Sequence, residues 1–279
     1  MNCNDALTLA NEMAGFGRTP DDSCVAHDAG VPVKKVLATI NCEIGDLLLA
    51  ERLGCDTVLV HHPLAGPSRR HFHRVLGRMV ELMTEHGVSG ERALSATERL
   101  RERCRFNDHA SDWDHLVSGA RILGLNLMNA HLAPDELGRR VMLGAIRGIE
   151  EHEPVSALAD RLRTVPELAH DANSFIEVPD DPMRQCGRVA VMHAGGTNGG
   201  ADVAHALFDA GVGTVVYIHL SGEDALRLRQ RAEAGGLGGV LVTGHFASDA
   251  IGMNLYLDAL EKEGLDVVRH GGLGTFAPA

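Results

Sequence analysis

Histidine is the residue to follow in this chain. There are 16 histidines among 279 residues, and imidazole is both the commonest metal ligand and the usual general acid or base. Their placement says more than their number. Five short apolar runs lead into histidine: Val58–Val60 into His61 and His62, Leu125–Leu127 into His131, Val189–Met192 into His193, Val215–Ile218 into His219, and Val240–Gly244 into His245. In open α/β sheets ligands bind beyond the carboxyl ends of the strands, where polar residues from several strands can converge on one cleft. One such histidine is more often structural than functional. Five at the same end of strands point to a shared site.

Carboxylates extend the pattern. His245-Phe-Ala-Ser-Asp249 and His131-Leu-Ala-Pro-Asp135 each put an imidazole and a carboxylate four residues apart. At the start of a helix, both side chains share one face and can reach one ion, and Pro134 suits a first helical turn. The alternative is helix capping, which favours aspartate near a helix N-terminus without any metal. In His61-His62-Pro63, adjacent side chains of an extended strand point to opposite faces, so both reach one cleft only if the chain turns. Pro63 biases His62 away from helical geometry and marks that break. Gly195-Gly-Thr-Asn-Gly-Gly200 follows one expected strand and precedes a helix. Consecutive main-chain N–H groups there can hold a phosphate or carboxylate. The segment matches neither dinucleotide nor P-loop signature, and a tight turn for close packing is the competing reading.

The elements that must position these residues read as α/β. Val36–Ile40 and Thr57–Val60 are expected strands, joined by a helix over 46–53 with Asp46 as N-cap and Gly54 just past its end. A second unit follows in strand Arg188–Met192, helix Ala201–Ala210 and strand Thr214–Ile218. Gly54-Cys-Asp-Thr-Val-Leu-Val-His-His aligns with Gly211-Val-Gly-Thr-Val-Val-Tyr-Ile-His, pairing His62 with His219. The expected architecture is therefore two related α/β lobes with mixed, largely parallel sheets flanking a cleft. The N-terminal lobe spans 1–149 and the C-terminal lobe 187–279, with the proline-bearing stretch 150–186 as connector. Residues 72–124 read as mostly helical. Within them Arg92–Arg105 is a surface helix anchored by Leu94 and Leu100.

Composition narrows the function classes. Hydrophobic content of 44% and charged content of 23% are those of a globular protein. No run approaches the roughly 18 apolar residues of a membrane span. Met1–Asp22 lacks a signal-peptide pattern, so the default location is the cytosol, with six well-separated, reduced cysteines. With 26 basic against 38 acidic residues the net charge is −12, which repels polyanions and disfavours nucleic acid as partner. The basic cluster Arg69, Arg70, His71, His73, Arg74 reads as a solvated helix start.

Cys55-Asp-Thr-Val-Leu-Val-His-His-Pro-Leu64 resembles the aspartate-strand-His-His-Pro segment of the Nif-three-like dinuclear-metal family, whose members are often labelled GTP cyclohydrolase I type 2. His131–Asp135 is similar to that family's His-x-x-x-Asp segment and Gly244–Asp249 to its closing Gly-His-x-x-x-Glu segment, in the same order. The resemblance implies two lobes flanking a two-metal site inside a ring-shaped homohexamer. It carries ligand roles onto His61, His62, Asp135 as the bridge, and His245. Asp249 stands where the family usually has glutamate, and Asn41 where many members have aspartate. Imidazole with carboxylate suits Zn²⁺, Mn²⁺ or Fe²⁺ better than Ca²⁺ or Mg²⁺. Two such ions can share a water and lower its pKa, which points to hydrolysis. His131 is the candidate for proton transfer, or for orienting a ligand. His193 and His219 are candidate substrate contacts, although a structural role suits each better. Gly195, Gly196, Thr197 and Asn198 would receive the phosphates of a nucleotide. The expected function is a metal-dependent hydrolase of a nucleotide or small heterocycle, with phosphoester hydrolysis as a second chemistry. The alternative of another class is a metal-binding adaptor, which fully protein-saturated metals would favour over an open cleft.

Overall fold

The computed structural model describes residues 1–171, 173 and 175–274. The chain opens with helix α1, Cys3–Ala14, and edge strand β1, Cys24–His27. The expected β-α-β unit follows as β2, Lys35–Thr39, α2, Ile44–Arg52, and β3, Thr57–Val60. Its strands are apolar apart from Lys35, Thr39 and Thr57 at their ends, as suits parallel strands covered on both faces. Gly54 adopts φ +69° just past α2, where a left-handed residue closes a helix at little cost. Asp46 is not the N-cap. The helix begins ahead of it, with Glu43 in the capping position, and the Asp46 carboxylate accepts the Glu43 N–H at 2.7 Å.

A short helix α3, Gly66–Arg70, comes next, and then the helical stretch expected over 72–124: a 3-10 turn over Phe72–Leu76, α4, Gly77–Glu85, α5, Gly90–Ala110, and α6, His115–Leu123. Leu100 anchors α5, but Leu94 is exposed. The buried face consists instead of small residues, Ala93, Ala96, Thr97 and Cys104, which allow close approach to neighbouring helices. Strand β4, Asn126–Asn129, leads into α7, Leu132–Ala145. The stretch read as a connector contains α8, Val155–Leu162, α9, Pro166–Ala169, and strand β5, Ile176–Val178. The second unit is β6, Arg188–Val191, α10, Gly200–Asp209, β7, Val212–Tyr217, α11, Gly222–Glu233, and β8, Gly239–Val242. Helix α12, His245–Lys262, and strand β9, Asp266–Arg269, follow.

Two sheets result, in the orders β1-β4-β3-β2-β9 and β5-β8-β7-β6. In each, three consecutive parallel strands carry an antiparallel edge strand that precedes them in sequence. The internal likeness thus extends to whole-sheet topology. Strand β5 belongs to the second sheet, while β9 crosses back to pair with β2 in the first.

The two sheets share one helical layer. Val36, Ala38, Leu59 and Met128 face a core with α1, α7 and α12, and the alternate residues Leu37, Val58 and Leu127 face α2 and α6. Val191, Val216 and Leu241 of the second sheet also pack on α7, α8 and α12. The other face, through Ala190, Val215 and Val240, covers α4, α5, α10 and α11. Helices α7 and α12 therefore lie side by side between the sheets. Both begin at a strand's carboxyl end, which brings His131–Asp135 and His245–Asp249 to one place. No helix among the described residues is long and apolar enough to cross a membrane.

Candidate metal centre

The main-chain N–H groups of His61 and His62 continue the ladder of β3 to Thr39 and Ile40, and the Leu64 N–H then folds back onto the His62 carbonyl at 2.9 Å. That tight turn at Pro63 is the break that lets adjacent side chains share a cleft. His61 is fully buried. Its Nε2 lies 3.2 Å from an Asp135 oxygen and 3.7 Å from an Asp249 oxygen. The same Asp249 oxygen is 3.2 Å from Nε2 of both His62 and His245. Asp249 is shorter than glutamate, yet the start of α12 carries it into the cluster. His193 Nε2 and His131 Nδ1 stand 3.8 Å from the Asp135 carboxylate.

Three overlapping groups of ligand atoms, each within 4.8 Å of one another, could hold a metal ion: His61, His62 and His131; His62, His245 and Asp249; and His61, Asp135 and Asp249. The local hydrogen bonding fits such a cation. His61 Nε2, His193 Nε2 and Asp135 Oδ1 are buried without a hydrogen-bond partner, a costly state that a positive ion would relieve.

Electrostatics agree. Burial alone would raise the Asp135 carboxyl, but the imidazoles of His131, His193 and His61 hold it down at about 2. Asp249 resists the same desolvation through His61, His62 and His245 and lies well below the usual carboxylate range. Burial lowers His62 to about 4, keeping it neutral against the pull of Asp249. His61 is buried too, yet Asp249 and Asp135 raise it to about 10. Ionised carboxylates beside an imidazole that holds a proton only because two anions demand it form a set in which a metal can replace that proton.

Partners on the far side of the rings set their orientation. His61 Nδ1 donates to the Ala130 carbonyl at 3.1 Å, His62 Nδ1 pairs with Asn41 Oδ1 at 2.7 Å, and His131 Nδ1 pairs with Asp22 at 2.7 Å. Such contacts turn Nε2 toward the centre and set the tautomer. Asn41→Ala is therefore expected to weaken divalent-ion binding about 10- to 100-fold. Calorimetric titration of Zn²⁺ into chelator-stripped protein would measure it, and an unchanged affinity would detach Asn41 from any role in positioning His62.

A cavity of about 210 Å³ opens beside the cluster. His62, His131, Asp135, His193, His219 and His245 all line it, as do Gly195, Gly196, Thr197 and Asn198. All five strand ends thus deliver histidine to one cleft. Sequence reasoning missed three contributors. Asp22, fully buried, precedes β1 and meets His131 across the sheet edge. Asn41 stood out only as a departure from a motif, not as a partner of His62. Arg69, half-buried, lines the cleft with its guanidinium 3.7 Å from Asp108, so the basic cluster is not simply a solvated helix start. All six cysteines are free, five of them buried.

No known family profile matches the chain, and no curated protein matches it. Solved structures do. A NIF3 superfamily protein from Sphaerobacter thermophilus is 40% identical, with a TM-score of 0.92 over 98% of this chain and 99% of its own. HcgD from Methanocaldococcus jannaschii, in its reduced form, is 12% identical with a TM-score of 0.59, covering 96% of this chain and 97% of that one. A Bacillus cereus protein related to NIF3 is 11% identical with a TM-score of 0.52, covering 100% and 98%. The last two show the shared fold alone. With 40% identity along nearly the whole of both chains, and with the His-His-Pro turn and both His-x-x-x-Asp segments meeting in one cleft, this protein belongs to the NIF3 superfamily.

Proposed function

We propose that the protein is a metal-dependent hydrolase that acts on a nucleotide or small heterocycle at a two-ion centre held by His61, His62, Asp135, His245 and Asp249. The observation that carries this reading is a pair of buried, unpartnered ligand atoms, Asp135 Oδ1 on a residue that lines an open cleft and His61 Nε2 3.2 Å behind it. Catalytic metal sites keep a position open to substrate, whereas purely structural sites are closed by protein ligands. The cleft therefore supports an enzyme over an adaptor. Divalent transition-metal ions such as Zn²⁺, Mn²⁺ or Fe²⁺ would supply an activated water and polarise a substrate oxygen.

The chain's own residues do the rest. Asp135 lies within 3.8 Å of a nitrogen on each of His61, His131 and His193, which supports it as the carboxylate that the ions would share. The Asp22 carboxylate accepts the His131 Nδ1 proton, so His131 presents its other nitrogen to the cleft as a proton carrier. Ring opening of a guanine nucleotide is the first reaction to try, and phosphoester hydrolysis the second. A homohexamer is the proposed assembly, which light scattering on the purified chain would test.

The central test is elemental analysis of protein purified without added metal or an affinity tag. Close to two ions per chain are expected, falling sharply in His62→Ala and His245→Ala. Chromatographic screening of nucleotides should then show turnover that is lost in the same variants. Protein without metal after reconstitution with Zn²⁺, Mn²⁺ or Fe²⁺ would sink the hydrolase mechanism. Bound metal with no turnover of any nucleotide or phosphoester would favour the adaptor.

A further inference from the structure

The loop between β6 and α10 supplies none of the five proposed metal ligands, yet it is built into the wall of the same cleft. Gly196 sits at φ +87°, and a Cβ there would lie 2.4 Å from Val75 Cγ1. Close packing explains that glycine. It does not explain the hydrogen bonding. Among the described residues, the main-chain N–H groups of Gly196, Thr197 and Asn198 donate to no protein acceptor, although Gly196 is buried. Buried N–H groups are almost always paired with protein, water or ligand. Successive N–H groups left free in a turn form a concavity suited to an anion.

A side chain points the same way. The Asn198 amide has one possible orientation, because its Oδ1 accepts the Gly200 N–H at 2.9 Å. Its Nδ2 must then donate to His219 Nδ1, 2.6 Å away. A nitrogen that accepts carries no proton, so His219 holds its proton on Nε2. This is the reverse of His61, whose Nδ1 donates to a carbonyl and whose Nε2 faces the Asp135 and Asp249 carboxylates. His219 is thereby disqualified as a ligand through Nε2 and becomes a neutral hydrogen-bond donor on the cleft wall. At the root of the loop His193, 2% exposed, lines the same cleft with Nε2 lacking any hydrogen-bond partner. Across the cleft, Arg69 provides a guanidinium in a chain whose net charge is −12.

We propose that the Gly196–Asn198 main chain and His219 Nε2 form an oxyanion subsite beside the metal centre, which takes a phosphoryl group of the substrate. The proposal deepens the hydrolase reading by naming the part of the substrate bound there, but the subsite exists in the protein whether or not metal is bound. It implies that substrates carry a phosphoryl group within reach of the metal centre.

The test is calorimetric titration of inorganic phosphate into the chelator-stripped full-length protein. Saturable binding of one phosphate per chain is expected. Asn198→Asp, which turns the amide donor into a carboxylate, and His219→Phe, which removes the Nε2 donor, should each weaken it about tenfold or more. His219→Gln, which retains a donor, should stay within about threefold of the wild type. Long-range ¹H–¹⁵N correlation should place the His219 proton on Nε2. Circular dichroism of each variant checks folding, and if Asn198→Asp fails that check, His219→Phe and the tautomer carry the decision. Absence of phosphate binding at tens of millimolar, binding indifferent to both substitutions, a proton on Nδ1, or tighter binding of acetate than of phosphate would each overturn the subsite. Metal content measured before stripping keeps the readings separate: a metal-free protein that binds phosphate fails the hydrolase proposal alone.

Discussion

Asp135→Ala is expected to abolish metal binding while leaving the chain folded. The carboxylate is 4% exposed and lies within 3.2–3.8 Å of a nitrogen on each of His61, His131 and His193. Among the described residues no other carboxylate has that position, since Asp249 faces His61, His62 and His245 instead. Removing it exposes three imidazoles to one another and deprives any ion between them of its nearest negative charge. Loss of an orienting partner costs about 10- to 100-fold in affinity, so loss of a proposed ligand itself should exceed about 100-fold. Asp135→Asn keeps the volume and removes the charge, and it should fail in the same way. Competition with a chelator of known affinity would read both variants. Metal retained at wild-type affinity by Asp135→Asn would mean that Asp135 only caps α7.

The second large effect is on stability. Gly252→Ala should destabilise the protein by at least about 3 kcal/mol, or roughly 6 °C or more in Tm for a chain of this size. A Cβ on Gly252 would lie 1.8 Å from the Pro134 carbonyl oxygen and 3.1 Å from the Gly138 N. Both are backbone atoms, so no side chain can rotate out of the way. Gly138 marks the reciprocal contact, its own Cβ position falling 3.3 Å from the Ser248 carbonyl oxygen and 3.1 Å from His193 Nε2. The two helices thus meet through glycine within one turn of Asp135 and Asp249, and forcing them apart should loosen the metal centre as well. Gly144→Ala is the control. Gly144 lies on the same α7, exposed, with nothing within 4 Å of a Cβ, and it should be neutral or slightly stabilising because alanine favours helix. Equal melting temperatures for the two variants would show that the helices can separate freely.

This packing has a trace in the chain that is easy to overlook. His131-Leu-Ala-Pro-Asp-Glu-Leu-Gly138 and His245-Phe-Ala-Ser-Asp-Ala-Ile-Gly252 share histidine, alanine, aspartate and glycine at equal spacing. The repeat combines ligand candidates with the glycine that lets the two helices touch. Its His-x-x-x-Asp half was legible from spacing alone. Its packing half was not, because a glycine inside a helix reads as a defect until the opposing backbone is known.

What the sequence determined by itself is local. Runs of Val, Leu and Ile ending in histidine specify strands with polar tips, and parallel β-α-β chemistry sends all such tips to one side. The convergence of His61, His62, His131, His193, His219 and His245 was readable for that reason, as were the two sheets and the mostly helical stretch 72–124. The tertiary structure decided what depends on register and on contacts far apart in the chain. Asn41 meets His62 only because β2 and β3 pair as Thr39 with Val60. Asp22 reaches His131 from 109 residues away, a separation that no period or spacing encodes. The passage of β9 back to β2 and the placing of α7 and α12 between both sheets likewise follow from which apolar faces bury one another. Burial is a property of the whole chain, and a segment does not carry its partner's address in its own residues.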